Sequence, residues 1–351
     1  MKRINNLYFQ ITGFENILSA SKKARKGKRF KRSTALFEFN LEKNIQKIAY
    51  QLKEKTWQPG AYTDFYIYDP KKRLISAAPY YDRVIHHALI NVIEPVIGRS
   101  FIYDTYACIK DRGTHKAVMR YREFLKKNKY VLKCDIQTYF QNIDHEILYE
   151  MVKRKIKCKD TLWLIKKIID SRESMDKQSY FVGDNLFTPF ERKKGIPIGN
   201  LSSQFFANLY LNGFDHYIKE MLKIKYYIRY CDDFVLFGNS KAMLNDLKSK
   251  VADYLANLRL KLHENKSRVY RVDEGVDFLG YRIYPDYMKV RKSIVKRYRR
   301  KLGRMAKDYN DKKINLADVN MSIQSWIGHV KHGASYRLRE EMFTGAVFSR
   351  K

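Results

Sequence analysis

The sequence predicts an α+β fold with an antiparallel sheet, and three observations carry that prediction. Short stretches rich in Tyr, Ile, Val and Phe, at residues 62–79, 130–140, 226–238 and 268–284, have strand character. Between them, apolar residues recur at helical spacing. The stretches at 62–79 and 226–238 read as hairpins, whose strands pair antiparallel, and from about Tyr287 onward the chain is strongly basic and reads as mostly helical.

In chain order, "SKKARKGKRFKR" (residues 21–32) is too charged to pack and reads as a mobile or RNA-contacting arm, with a solvated linker as the alternative. Apolar residues Leu36, Phe39, Ile45, Ile48, Ala49 and Leu52 predict one helix over 33–52. "YTDFYIYDPKKRLISAAP", bounded by Pro59 and Pro79, predicts a hairpin. "YYDRVIHHALINVIEPVIG" predicts a helix stopping near Pro95 and Gly98, and a further helix covers about 114–128. In "YVLKCDIQTYF" a strand puts Leu132, Cys134 and Ile136 on one face and Lys133 and Asp135 on the other. Helices follow over about 144–170. "GIPIGNLSSQFFANLYLNGFDHYIKEML" reads as a Gly-Pro loop entering a long helix capped by Ser202 or Ser203. A helix over 240–258 and short strands over 268–284 precede the basic tail.

The 351 residues, 45% hydrophobic and 14% aromatic, suffice for one large domain or two to three subdomains. Lys and Arg number 70 against 37 Asp and Glu, a net charge of +33, which points to a polyanionic partner and first to nucleic acid. Nonspecific phosphate binding and anionic lipid are the competing accounts. No apolar run approaches the roughly 18–20 residues of a membrane span, and the N-terminus lacks a signal-peptide core, so a cytoplasmic protein is expected. Cys108, Cys134, Cys158 and Cys231 show neither a CxxC pair nor zinc-ligand spacing and read as reduced, mostly buried thiols. His86, His87 and His115 likewise lack metal spacing and read as packing or polar helix residues.

The chemistry concentrates in "YYIRYCDDFVLFG". Adjacent residues on a strand point to opposite faces, but Asp232 and Asp233 can project from one edge if Cys231 to Asp233 form a hairpin turn between "YYIRY" and "FVLF". Two carboxylates this close repel unless a cation compensates, and Mg²⁺ favours one or two carboxylates with water and phosphate oxygens. Asp135, on a neighbouring apolar strand, supplies a third. Three such carboxylates can hold two metals roughly 4 Å apart, an arrangement suited to nucleotidyl transfer. A solvated turn is the ordinary reading of a lone Asp pair, and a cap or ion pair that of a lone Asp; the combination with the motifs below alters the balance.

The ordered set "LKCDIQTYF", "GIPIGNLSSQ", "YCDD", "LKLHENKSRV" and "FLGYRI" resembles the motifs of reverse transcriptases, from the first carboxylate motif to the primer-grip hairpin. The resemblance covers roughly residues 60–350. It implies a right-hand polymerase fold: an N-terminal basic arm and helical extension (1–58), fingers and palm (59–284) and a helical thumb (285–351). Retroviral and group II intron relatives have a Gln-Gly pair and a Ser-Pro ending in the middle motif. Here Ile198 precedes Gly199 and Gln204 follows Ser203, a form that resembles the enzymes of diversity-generating retroelements, as do "TYACIKDRGTH" and "GIPIGNLSSQFFANLY".

That resemblance implies the residue roles. Asp135, Asp232 and Asp233, with the Ile136 carbonyl, would ligate two Mg²⁺ ions, Mn²⁺ being an in vitro substitute. Phe140 matches the steric gate against a ribose 2′ hydroxyl, or is a core aromatic. Lys72 and Arg73 match the residues that neutralise the triphosphate. Arg83 aligns with a family arginine, or pairs with Asp82. Lys266 would set a cation near the leaving phosphate, or is solvated. Gly199 would let the backbone approach the nucleotide or template base. Ile198 and Gln204 complete the nucleotide site, with Ile198 unable to hydrogen-bond as Gln does. Phe278, Leu279, Gly280 and Tyr281 form the primer grip. Lys296, Arg297 and Arg300 would track primer-template phosphates. Tyr298 is expected to pack, and Trp326 to sit in the thumb core.

The implied activity is low-fidelity copying of a template-repeat RNA with a structured spacer into cDNA, errors falling at template adenines, for mutagenic retrohoming that diversifies a target gene. The implied partners are that RNA, the primer strand, dNTPs and a small basic accessory protein, in a bacterial, archaeal or phage-encoded setting. No RNase H or endonuclease domain is expected. The alternatives are a retron-like or group II intron-like reverse transcriptase, and a noncatalytic RNA-binding protein on the same scaffold.

Overall fold

A computed structural model describes residues 3–68, 71–174, 179–345 and 347–349. The first strands, β1 (Thr63–Ile67) and β2 (Arg73–Ala77), pair antiparallel as the hairpin reading requires. Asp69 and Pro70, between them in sequence, lie outside the described residues. The central sheet is built from β3 (Tyr130–Asp135), β4 (Tyr227–Tyr230), β5 (Asp233–Gly238) and β6 (Arg268–Arg271), all antiparallel, in the order β4-β5-β3-β6. A third, three-stranded sheet is formed by β7 (Val276–Phe278), β8 (Tyr281–Ile283) and β9 (Met288–Val290).

Both faces of the central sheet are covered, which is why its two inner strands are apolar at nearly every position. Leu132, Cys134, Phe234 and Leu236 face a core shared with the helices Tyr80–Ile97, Leu201–Tyr210 and Lys241–Asn257. Val131, Val235 and Phe237 face a second core made with the helix Thr114–Leu125, β7–β9 and the C-terminal helices. Each of the buried Val, Leu and Phe side chains contributes about 1.5–3 kcal/mol through burial.

The charged N-terminal stretch packs in part, contrary to expectation. The helix Phe14–Ala24 runs through residues 21–24 and buries Ala20, Ser21 and Ala24, because these small residues face the helix Tyr80–Ile97 while the lysines point outward. The single helix expected over 33–52 is two, Arg32–Phe39 and Leu41–Lys53, broken at Asn40. The break changes which face is buried: Phe37, Ile45, Ile48 and Leu52 are covered, whereas Leu36 and Phe39 are exposed. "YVLKCDIQTYF" is strand only to Asp135, and Tyr139–Asn142 is helical after the left-handed Thr138. The helix after residue 200 ends at Tyr210 and is followed by a short helix, Asn212–His216, and a π turn. β9 lies at the start of the basic stretch expected to be mostly helical.

The C-terminal helices Lys292–Asn310, Leu316–Val330 and Tyr336–Thr344 pack around Tyr298 and Trp326, whose rings stack at 4.5 Å and 9°. Tyr298 therefore packs and Trp326 is core, as the sequence suggested. Lys133 ties the central sheet to this unit by donating to the Asp277 carbonyl at 2.8 Å. His115 stacks on His332 at the same junction, 3.7 Å between ring centres. Cys134 and Cys158 are buried, Cys231 is half-buried and Cys108 is exposed, all four as free thiols. Among the described residues, no helix is long and apolar enough to cross a membrane.

Candidate active site

Strand register brings the predicted carboxylates together. Asp135, the last residue of β3, lies directly across from Asp233, the first residue of β5. Tyr230 pairs with Asp233 and closes a two-residue turn, so the turn is Cys231–Asp232 and Asp233 already belongs to the strand, one position tighter than expected. Cys231 takes a positive φ of 60°, the sign a primed hairpin turn requires at its first position and one rarely adopted by a non-glycine residue. The Ile136 N–H donates to the Asp232 carbonyl at 3.3 Å and links the turn back to the end of β3.

Burial and mutual repulsion define the electrostatics. The Asp233 carboxyl is pushed up to about 6, chiefly by burial and further by Asp232 and Asp135, while Lys133 and Lys266 oppose the shift. Burial also raises Asp232; Asp135 adds to that rise and the positive charge of Arg73 counters it. Arg73 starts β2, so the N-terminal hairpin reaches the carboxylates electrostatically. The Lys266 ammonium donates directly to Asp135 Oδ2. It is held there by the turn after His263, whose N–H bonds the Asp135 carbonyl at 2.8 Å.

Among the described residues no three His, Cys, Asp or Glu side chains close on a single point as a ready cage. The donor set nonetheless suits a hard divalent cation, which takes one or two carboxylates and completes its shell with water and phosphate. The Ile136 carbonyl, just past the end of β3, is a further oxygen beside these carboxylates.

The loop 196–200 docks on β2. The Ser76 N–H donates to the Ile198 carbonyl at 3.1 Å. The buried Asn200 side chain donates to the Ser76 carbonyl at 3.1 Å and accepts from the Ala78 N–H at 3.2 Å. Asn200 also occupies the N-cap position of the next helix, with no side-chain cap bond; Ser202 instead bonds His86 Nδ1 at 3.2 Å. The expected serine cap is thus corrected, because the strand claims the loop's polar groups. Gly199 has φ +118°, and a Cβ there would lie 2.8 Å from Ile75 Cγ2. A side chain at 199 would therefore press on β2. Ile198 and Gln204 are half-buried beside this junction.

The other nucleotide-site candidates separate. Phe140 is half-buried, edge-to-face with Tyr139, and its carbonyl accepts from the Ile196 N–H at 2.9 Å, which puts it next to the loop. Lys72 is drawn over the Tyr66 ring, 4.3 Å from its centre. Arg83 does not pair with Asp82: its Nε donates to the Ala78 carbonyl at 2.7 Å. Asp82 is buried and accepts from Trp57 Nε1 at 3.1 Å and the Gly60 N–H at 2.7 Å. Consecutive helical residues diverge by about 100°, so the two face different neighbours.

In the predicted primer grip, Phe278 and Tyr281 are buried, Phe278 stacked on Tyr121 at 4.8 Å and Tyr281 hydrogen-bonded to the His329 carbonyl. Only the tip, Leu279 and Gly280, both at positive φ, remains half-exposed. Lys296, Arg297 and Arg300 lie exposed on the first C-terminal helix. Sequence reasoning passed over Asn200, and also Arg229 and Asp215, which form a fully buried ion pair behind the turn. A charged Arg inside the otherwise apolar strand "YIRY" was the available signal.

The family model described as reverse transcriptase (RNA-dependent DNA polymerase) matches residues 67–283, more than half of the chain. The chain is 24% identical over 240 residues to protein YkfC of Escherichia coli (strain K12), the match covering 58% of this chain and 60% of that protein. It is 26% identical over 188 residues to the group II intron-encoded protein LtrA of Lactococcus lactis subsp. cremoris, covering 53% of this chain and 30% of that one. The chain thus spans less than two thirds of either relative's length. Among solved structures it is similar to telomerase from Candida albicans, solved with a fragment of telomeric RNA, at a TM-score of 0.43 and 13% identity, over 67% of this chain and 46% of that one.

Two predictions follow from the geometry. The folded state holds the Asp233 proton to about pH 6, above the ordinary carboxylate value, so metal-free stability falls as pH rises from about 4 through 6. Asp233→Asn removes that loss. Its melting temperature is expected to exceed the wild type's increasingly across this window, reaching roughly 2–3 kcal/mol of added stability by pH 8, as read by thermal melts at several pH values. Asn200→Ala is expected to cost about 1–3 kcal/mol by stranding the Ser76 and Ala78 backbone groups, measured as a lower urea midpoint.

Proposed function

The chain belongs to the reverse transcriptase (RNA-dependent DNA polymerase) family, and on that premise we propose that it polymerises DNA on an RNA template, using dNTPs and a primer 3′ end. The observation that carries this reading is the register of Asp135 against Asp233 with Asp232 on the connecting turn. In this reading the central sheet is the palm, the β1–β2 hairpin with its supporting helices is the fingers, and the C-terminal helices are the thumb.

Asp135, Asp232 and Asp233, with the Ile136 carbonyl, would hold the divalent ions, Mg²⁺ by their oxygen chemistry. When bound, these supply charge neutralisation at the transferred phosphate and a more acidic primer 3′ hydroxyl. The protein's own groups do the rest. Arg73, whose charge already acts on Asp232, receives the triphosphate. Lys266, now on Asp135, is placed to shift toward the leaving pyrophosphate once that carboxylate is engaged elsewhere. Phe140, half-exposed beside the loop, gates the ribose 2′ position. The exposed cations Lys296, Arg297 and Arg300 follow the duplex backbone, and the Leu279–Gly280 tip meets the primer strand.

The finer reading is mutagenic copying in a diversity-generating retroelement, with a structured template RNA and a small basic accessory protein. It is supported by Ile198 and Gly199 in the loop docked on β2 and by Gln204 in the helix that follows. An isoleucine at 198 offers no hydrogen bond with which to police base-pair geometry. The likeness to a group II intron-encoded protein favours a second reading, an intron-type enzyme with faithful copying.

Primer extension on an adenine-containing RNA template separates the two. With Mg²⁺, wild type is expected to extend and Asp233→Ala to lose at least 10³-fold in rate; absence of extension by wild type, with and without a neighbouring small basic protein, would reject the polymerase reading. Sequenced products are expected to carry errors concentrated opposite adenine, reduced severalfold in Ile198→Gln. An unchanged error spectrum in that variant removes Ile198 as the cause.

A further inference from the structure

Behind the Cys231–Asp232 turn, Arg229 is completely buried, and all five donors of its guanidinium are engaged. Nε and Nη2 grip Asp215 Oδ1 and Oδ2 as a fork, each at 2.7 Å. Nη1 reaches Asn208 Oδ1 at 3.1 Å and the Cys231 carbonyl at 3.2 Å, and Nη2 also reaches the Asn208 carbonyl at 3.4 Å. Asp215, equally buried, accepts in addition from the Tyr227 hydroxyl at 2.7 Å and the Thr105 hydroxyl at 3.0 Å. Asn208 anchors itself by donating to the Ala107 carbonyl at 2.8 Å.

Stability alone is a poor account of this arrangement. A buried ion pair gives up so much hydration that apolar residues of similar volume commonly do as well. What apolar residues cannot do is hold a carbonyl. The Cys231 carbonyl belongs to the peptide leading into Asp232, and it is fixed by Arg229 on one side of the turn while the Asp232 carbonyl is fixed by the Ile136 N–H on the other. Cys231 meanwhile sits in a left-handed conformation that a non-glycine residue leaves unless surrounding contacts enforce it. Arg229 can act as such a contact only if its own plane is fixed, and the Asp215 fork with Asn208 fixes it.

We propose that Arg229, oriented by Asp215 and Asn208, is the positioning residue of the active site: it sets the backbone of the Cys231–Asp232 turn and thereby the direction of the Asp232 and Asp233 carboxylates. Its role in catalysis rests on the polymerase reading above; its role in holding the turn does not.

The test uses the full-length chain with Arg229→Lys and Asn208→Ala. Lysine keeps the charge beside Asp215 but cannot span Asn208 and the Cys231 carbonyl together. The expected result is a 10- to 100-fold fall in kcat per folded molecule, with KM for dNTP and template RNA affinity within about twofold of wild type. Amide hydrogen exchange over residues 231–234 and at Ile136 is expected to speed up while the remainder of β3 stays protected. Should Arg229→Lys fail to fold, Asn208→Ala carries the kinetic comparison. An unchanged kcat in a folded variant overturns the proposal, as does wild-type exchange at Asp232, Asp233 and Ile136 as fast as in exposed loops. If wild type extends no primer, the polymerase reading fails and the exchange measurement still decides whether Arg229 holds the turn.

Discussion

The register that sets Asp135 opposite Asp233 is the constraint on which the rest of the structure depends. Two carboxylates face each other at the ends of buried strands, with a third on the adjoining turn, and burial already penalises the charge of Asp232 and Asp233. A sheet tolerates this only if its apolar register leaves no better alternative. Shifting β5 by one residue would turn Phe234 and Leu236 out of one core and Val235 and Phe237 out of the other. The two cores therefore hold the acidic edge in place against its own repulsion, and the site's chemistry is bound up with the packing behind it.

Everything that reaches the acidic edge does so through a fixed backbone contact. The β1–β2 hairpin is tied to the loop 196–200 through Ser76, Ala78 and Asn200, which brings Arg73 within electrostatic range of Asp232. The β7–β9 unit is tied to β3 by Lys133 on the Asp277 carbonyl. Lys266 arrives on a turn hydrogen-bonded to the backbone of Asp135 itself. Family membership accounts for the order of the motifs along the chain, whereas these contacts account for why motifs more than 120 residues apart act at one place.

The elements legible in the sequence were those with a single dominant signal. Alternation in "YVLKC" and the paired strands around Cys231 were read correctly because each strand is apolar at fixed positions and the turn is short. The helix over 33–52 was misread because Leu36 and Phe39 fit the period while being exposed, and Asn40 carries no obvious break. The loop glycine was recognised, but one constraint on it was not: a Cβ at 199 would press on Ile75, more than 120 residues earlier. The serine cap was a sound local expectation overruled by a long-range partner, since Asn200 bonds β2 and Ser202 bonds His86.

By itself the sequence determined the residue types of the site, their order, the basic character of the chain and the period of its main strands, because these depend on near neighbours and on composition. Tertiary structure alone decided the pairing of Asp135 with Asp233, the burial of Phe278 and Tyr281, the separation of Arg83 from Asp82 and the enclosure of Arg229 by Asp215, Asn208 and the Cys231 carbonyl. Each of those outcomes depends on which distant surface a side chain meets once the chain closes, and a linear pattern of residues carries no measure of that distance.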